Sequence, residues 1–321
     1  MPNKPTIAIT MGDPAGVGPE VCLHLLADSK IREQCRPIVF GDLSVLDAAA
    51  DATELAAPNM DDVRDLKAID LTDFTPGEIN ASTGKAGYAY VDAAINAANA
   101  GEVDGVATAP LNKEALNLAG IKFPGHTEIF AEKTGTSRFA MLQYSEVISC
   151  SFVTVHCGYS EVPKFMTTDR IVEVIELTHA AFLKVRGKEP KIVVLGLNPH
   201  AGEHGLFGNR EEETVITPAM DRCRGQGITK LEGPIPPDTA FIPAKLAETD
   251  AFICMYHDQG HIPVKVLAFD KAVNTTLGLP FPRTSVDHGT ALDIAWQGLA
   301  NPSSLFEAVK LNVKLVGKSN F

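Results

Sequence analysis

Two hydrophobic patterns alternate along this chain, and that alternation constrains the fold more than any other feature. Short apolar or β-branched runs stand at Thr6–Thr10, Pro37–Phe40, Gly105–Ala107, Ser151–Val155, Lys191–Leu195 and Ala251–Met255. Each is bounded by polar or turn-forming residues, which is the pattern of a buried strand. Longer amphipathic stretches lie between them, among them Gly87–Ala100 and Thr168–Arg186. In the second, Ile171, Val174, Ile175, Thr178 and Phe182 fall on one face at helical spacing. Strand–helix alternation predicts an α/β fold with mainly parallel sheets and helices on both faces.

At roughly 100–200 residues per domain, 321 residues make two α/β lobes or one large domain. Gly, Thr and Ser cluster at Thr134–Arg138, and the chain is expected to cross back near Arg283–Gly289. The predicted division is a first lobe of residues 1–137 plus 285–321 and a second of residues 138–284. No internal repeat is visible, and Ala48–Gly77 reads as an acidic, polar excursion.

A net charge of −12 argues against a general nucleic-acid binder or a protein held on anionic membranes. A small anionic substrate stays open, because a few local cations outweigh the mean field inside a cleft. No apolar run approaches the roughly 20 residues that span a bilayer. Met1–Thr10 has no long apolar stretch, so no signal peptide is expected. The six cysteines are scattered with no CxxC pair. Reduced thiols and a cytoplasmic location are the expectation.

Three histidines follow predicted strands: His156 after SFVTV, His200 after KIVVLGLNP and His257 after AFICMY. The C-terminal edge of an open α/β sheet is where ligand sites form. Three neutral imidazoles suit a divalent ion and leave a position open for substrate. Zinc, magnesium, manganese and cobalt all remain candidates. Taken singly, each ring reads more readily as an ordinary loop or core histidine. Asp258, next to His257, either orients that imidazole or caps the following helix. His204 and His261 are nearby spares.

A second set suits an anion. Gly125-His126-Thr127-Glu128 opens a helical stretch, with Thr127 as the expected cap and free N–H groups left for a negative charge. Lys265, Asn274 and Arg283 offer a phosphate a point charge, a neutral donor and a planar fork. Each cation alone reads more readily as a solvated surface charge, Arg283 least so in its rigid, apolar-flanked setting. Gly12–Glu20 (GDPAGVGPE) is a glycine-rich turn with Pro19 suited to a first helical turn. It is neither GxGxxG nor a Walker A loop, so it is either a structural turn or a loop facing the active cleft. Ser285–Asp293 (SVDHGTALD) exposes backbone donors near Gly289.

These motifs together resemble the 4-hydroxythreonine-4-phosphate dehydrogenase family. The matching segments are MGDPAGVGPE, ATAPLNKEAL, FPGHTEIFAE, LNPHAGE, GPIPPDTAF, MYHDQGHIPVK and VNTTLGLPFPRTSVDHGTALDIA, from about residue 6 to about residue 297. The resemblance implies two-lobed α/β/α subunits like those of isopropylmalate and isocitrate dehydrogenases, and a homodimer with its active site shared across the interface. It carries the metal onto His156, His200 and His257, and substrate contacts onto His126, Thr127, Lys265, Asn274 and Arg283. NAD or NADP is implied without a Rossmann fingerprint. Asp287, His288 and Gly289 resemble the adenine-side loop of those dehydrogenases, with Leu292 where they usually carry proline. Asp238 matches a polar position near the active site, and Asp238, Asp258 and Lys265 are the candidate general bases.

The implied reaction is oxidation of 4-phosphohydroxy-L-threonine to a β-keto acid that decarboxylates, in pyridoxal phosphate biosynthesis. One segment departs from the family. His156-Cys157-Gly158-Tyr159-Ser160-Glu161-Val162-Pro163 stands where the vitamin B6 enzymes usually read histidine, leucine, proline, leucine. That keeps D-threonate or D-erythronate 4-phosphate open as substrates, since the family includes sugar-acid members, and dihydrodiol dehydrogenases as well. A metal-dependent hydrolase or lyase without nicotinamide is a further reading. So is a non-catalytic protein that binds a phosphorylated metabolite.

Overall fold

The computed structural model describes residues 4–123, 125–269 and 271–317. Among them the strands, in chain order, are β1 Thr6–Thr10, β2 Arg36–Gly41, β3 Val63–Asp65, β4 Gly105–Thr108, β5 Ala140–Tyr144, β6 Cys150–Phe152, β7 Ile192–Leu195, β8 Leu231–Ile235, β9 Ala251–Cys254, β10 Val273–Leu277 and β11 Arg283–Ser285. The chain forms two compact units, Met1–Ser137 with Leu279–Phe321, and Arg138–Gly278. The return to the first unit falls a few residues before the predicted position. The reason is β11, which pairs in parallel with β4 (Arg283 opposite Val106) and so brings Arg283 into the first unit.

In the first unit the strand order is β3-β2-β1-β4-β11, every pair parallel. Alternate residues of β1 serve different cores. Ile7 and Ile9 join a cluster with Val21, Leu25, Leu305 and Val309, while Ala8 joins Phe40, Val91, Val106 and Phe130. The sheet is therefore buried on both faces, as parallel sheets are. Each large aliphatic side chain so buried contributes about 1.5–3 kcal/mol. The order reverses between β1 and β4, which makes their C-terminal ends a topological switch point. Gly12 turns there with φ +78°, and a Cβ on it would meet the Pro110 carbonyl oxygen at 2.4 Å.

In the second unit the order is β10-β5-β6-β9-β7-β8. β5 runs antiparallel to both β10 and β6; the other pairs are parallel. Helix Thr168–Arg186 begins with Thr167 accepting from the Arg170 amide and ends at Gly187 in the left-handed region. Such a cap is worth about 1 kcal/mol. The helix packs on β6, and Thr178 donates to Ser151 at 2.7 Å. Helix His257–Ala268 covers Phe152, Phe252 and Cys254 with Val264 and Ala268.

The predicted strand at Ser151–Val155 is shorter and earlier, Cys150–Phe152, yet the chain stays paired beyond it. The Val153 and Thr154 amides donate to Cys254 and Met255 at 2.9 and 3.2 Å. Among the described residues no helix is long and apolar enough to cross a membrane.

Candidate functional site

The lateral order β6-β9-β7 decides where the three histidines emerge. His156 leaves β6, His257 leaves β9 and His200 leaves β7, so they come from three adjacent strands with His257 in the middle. Neighbouring strands lie about 4.8 Å apart. The His156 and His257 rings are tilted by 39° with centroids 5.8 Å apart. His257 opens its helix, stacks on His261 at 3.8 Å and 8°, and His261 in turn stacks on Phe152 at 4.3 Å. His261 Nδ1 lies 2.9 Å from the His257 carbonyl oxygen, so the inner ring serves as a floor beneath the outer one.

Asp258 does not cap this helix. Tyr256 is at the N-cap position with no side-chain cap bond, and Asp258 Oδ1 lies 2.6 Å from His257 Nδ1. Its Oδ2 accepts from the Tyr159 hydroxyl at 2.5 Å. Those two partners, Tyr159 first, hold the Asp258 carboxyl below the usual carboxylate range. With Nδ1 engaged by a carboxylate, Nε2 is the ring atom left to bind a metal, the usual arrangement of a ligating histidine.

His200 is held differently. It belongs to a turn, Pro199–Gly205, in which His200, Ala201, Gly202, Glu203 and His204 all have φ between 40° and 79°. Left-handed backbone costs non-glycine residues roughly 1–2 kcal/mol each. The buried Glu212 opposes that cost, because its Oε1 accepts from the Leu197 and Asn198 amides at 2.9 and 2.8 Å. The His200 ring packs 5.9 Å from Phe207. Among the described residues no group of three His, Cys, Asp or Glu side chains converges tightly enough to hold a metal ion. The donor chemistry still suits one: two neighbouring imidazoles, one oriented by a carboxylate, and a third on the turn that follows the adjacent strand.

Asp238 is exposed on the short turn Pro237–Thr239, which packs beside the His200 turn. Lys265 lies on the His257 helix with its Nζ 5.3 Å from the Phe269 ring centre. Asn274, on β10, has a buried Oδ1 without a hydrogen-bond partner.

The anion set of the first unit is more deeply built. Arg283 opens β11, is only 2% exposed, donates to Thr108 at 2.8 Å and lies 5.3 Å over the Phe130 ring. Burial pushes its guanidinium down to about 9, with Glu128 partly opposing, so it is cationic at neutral pH. His126 begins the helix His126–Thr134, and its buried Nε2 has no hydrogen-bond partner. Burial, and then the charges of Arg283 and Lys113, push its imidazole well below the usual value, so the ring is neutral. Thr127 is not the cap; Gly125 holds that position and makes no side-chain cap bond. The first-turn N–H groups thus have no side-chain cap, which suits an anion.

The glycine-rich turn is structural in part. The Val17 amide donates to Thr290 at 3.0 Å, Trp296 Nε1 donates to Pro14 at 3.0 Å, and the buried Glu20 accepts from the Gln297 amide at 3.1 Å. It grips the loop that carries Asp287, His288 and Gly289, of which His288 and Gly289 are exposed.

Two of these contacts were not legible in the sequence. Tyr159 and Glu212 carry no motif that marks them as supports for His257 and His200. Only their long-range partners identify them.

The model of the pyridoxal phosphate biosynthetic protein PdxA matches residues 33–312. The 4-hydroxythreonine-4-phosphate dehydrogenase of Desulforapulum autotrophicum is 43% identical, over 96% of this chain and 95% of that one. The D-threonate 4-phosphate dehydrogenase of Cupriavidus necator is 41% identical over 97% of each. The crystal structure of 4-hydroxythreonine-4-phosphate dehydrogenase from Klebsiella pneumoniae superposes with a TM-score of 0.86 at 38% identity, over 98% of both chains. With its α/β fold, its strand-end histidines and this full-length similarity, the chain belongs to the PdxA family of dehydrogenases and is an oxidoreductase.

Proposed function

We propose that this enzyme is a divalent-metal- and NAD(P)-dependent dehydrogenase of a phosphorylated hydroxy acid, with 4-phosphohydroxy-L-threonine as the first substrate. The observation that carries the reading is the strand order β6-β9-β7, from which His156, His257 and His200 leave adjacent strand ends. A divalent ion held by these three residues would supply Lewis acidity to a substrate hydroxyl. A nicotinamide held by this chain would supply the hydride acceptor, and the β-keto acid product would lose carbon dioxide.

The chain's own residues do the rest. Asp258 keeps the His257 ring in one orientation, with both carboxylate oxygens occupied. Asp238 and Lys265 are therefore the candidates to take the hydroxyl proton. Arg283, His126 and Thr127 receive the substrate phosphate, a role supported by a buried cation beside an unpartnered imidazole at a helix N-terminus. Lys265 and Asn274 add polar contacts. Fixing the far end of the substrate supplies orientation at the reacting end. Asp287, His288 and Gly289 are assigned to the cofactor. A homodimer with a shared active site completes the reading. Exposed Ile262 and Val266, four residues apart on the His257 helix, and Phe269 at its C-cap support it.

D-threonate or D-erythronate 4-phosphate is the second substrate reading, favoured by the Cys157–Pro163 departure beside His156. The experiment is a substrate panel with purified enzyme, divalent metal and NAD or NADP, read as the absorbance of reduced nicotinamide. Reduction with 4-phosphohydroxy-L-threonine supports the first reading. Reduction only with the sugar-acid phosphates selects the second. Silence with all of them, accompanied by tight binding of a phosphorylated ligand, would overturn both in favour of a binding protein.

A further inference from the structure

The departure at Cys157–Pro163 lies where the family's vitamin B6 enzymes usually carry leucine, proline and leucine, and it introduces a tyrosine. The segment is folded on itself. The Gly158 amide donates to Glu161 Oε2 at 3.1 Å, the Glu161 amide donates back to Gly158 at 2.9 Å, and Val162 is buried as an anchor. The turn Tyr159–Glu161 that results carries Tyr159 outward. Although 68% exposed, Tyr159 is not a loose surface residue. Its ring meets Tyr256 edge-on with centroids 5.9 Å apart, and its hydroxyl donates to Asp258 Oδ2 at 2.5 Å. The other oxygen of that carboxylate lies 2.6 Å from His257 Nδ1.

We infer that Tyr159 is a positioning residue for the metal centre, acting through Asp258 on His257. The inference rests on the reading of His257 as a metal ligand. A carboxylate bound at one oxygen only can swing about its Cβ–Cγ bond and carry the imidazole with it. Tyr159 takes the second oxygen and removes that freedom. His261 stacks against the face of the His257 ring, and the Tyr159–Asp258 pair holds its Nδ1 edge against a flip about the Cβ–Cγ bond. Both constraints act on a ring whose centroid lies 5.8 Å from that of His156. A leucine in place of Tyr159 has no hydroxyl to offer, so this chain secures its central histidine by a contact the usual family segment cannot make. Hydrogen bonds to a charged acceptor are about twice as strong as neutral ones, and loss of an outer partner of a metal ligand costs about 10- to 100-fold in metal affinity.

The test uses the full chain stripped of metal with a chelator, then titrated with zinc or cobalt in competition with a chromophoric chelator. Tyr159→Phe deletes the hydroxyl and keeps the ring against Tyr256. It is expected to bind metal about tenfold more weakly with an unchanged thermal midpoint, and to alter the visible absorption of the bound cobalt. Asp258→Asn should weaken binding at least as far. Wild-type affinity and an unchanged cobalt spectrum in Tyr159→Phe, with metal lost in His257→Ala, would overturn the role of Tyr159 while leaving the histidine reading intact. Undiminished metal binding in His257→Ala would overturn both.

Discussion

The two candidate sites are built in opposite ways. The anion set of the first unit is finished before any ligand arrives: Arg283 is buried, paired with Thr108 and laid over Phe130, and His126 is neutral beside it. The histidine set of the second unit is open. His156 and His200 are exposed, and His200 rides on a left-handed turn. Under the proposed roles, the difference follows from what each would hold. A phosphate is gripped by charge in a dry setting, where electrostatic attraction is strongest, so the cation is pre-buried at a cost in desolvation. A metal ion makes short, directional bonds and draws flexible ligands together as it binds. Exposed rings therefore suffice if backbone and carboxylates aim them, as Glu212 and Asp258 do.

Substitutions should separate the two sites. The largest effect is expected from His257→Ala or His200→Ala, each of which should take turnover to background even with excess metal. Full activity of His200→Ala in the presence of a chelator would break the division of roles. Arg283→Ala should come next, costing about 3 kcal/mol in binding of a phosphorylated substrate, roughly a hundredfold in KM. Its metal content should stay normal. A fall in metal content alone would contradict the assignment of Arg283 to phosphate.

A smaller effect sharpens the account of the histidine turn. Gly202 has φ +79°, and a Cβ there would meet Glu212 Oε2 at 2.5 Å. Gly202→Ala should destabilise the turn by about 1–2 kcal/mol and weaken metal binding, with Arg283-dependent KM unchanged. Hydrogen exchange at Asn198–Leu206 and metal titration would read it.

The smallest effect is a pH slope from the buried histidine of the anion set. The folded-state pKa of His126 is depressed, whereas the unfolded ring titrates near about 6.5. Below that pH the unfolded chain holds the extra proton, so stability is full above about 6.5 and falls as pH drops toward the folded value. One such group adds a slope of at most about 1.4 kcal/mol per pH unit. His126→Gln should flatten the denaturation midpoint between pH 6.5 and 5 by that share. An unchanged slope would show that His126 is not buried neutral.

The strands that read clearly from sequence are those whose apolar runs are buried on both faces, such as Thr6–Thr10 and Ile192–Leu195. β10, with the sequence VNTTL, escaped because Thr275 and Thr276 are buried polar residues. β8, LEGPI, is interrupted by Gly-Pro, which reads as a turn. The antiparallel course of β5 follows from its pairing with β10 and β6, and no local pattern encodes that. The placement of the three candidate histidines beyond strand ends was legible because strand ends are local features. The left-handed course through Ala201, Glu203 and His204 was not, since such residues seldom adopt it. Neither was the Tyr159–Asp258 contact, whose partners are 99 residues apart.

Metal content after exhaustive dialysis against chelator-free buffer is the most direct measurement of the central claim. The wild-type chain and Arg283→Ala should retain a divalent ion, and His156→Ala, His200→Ala and His257→Ala should each lose it. Retention in any of the three histidine variants, or loss in Arg283→Ala, would contradict the account.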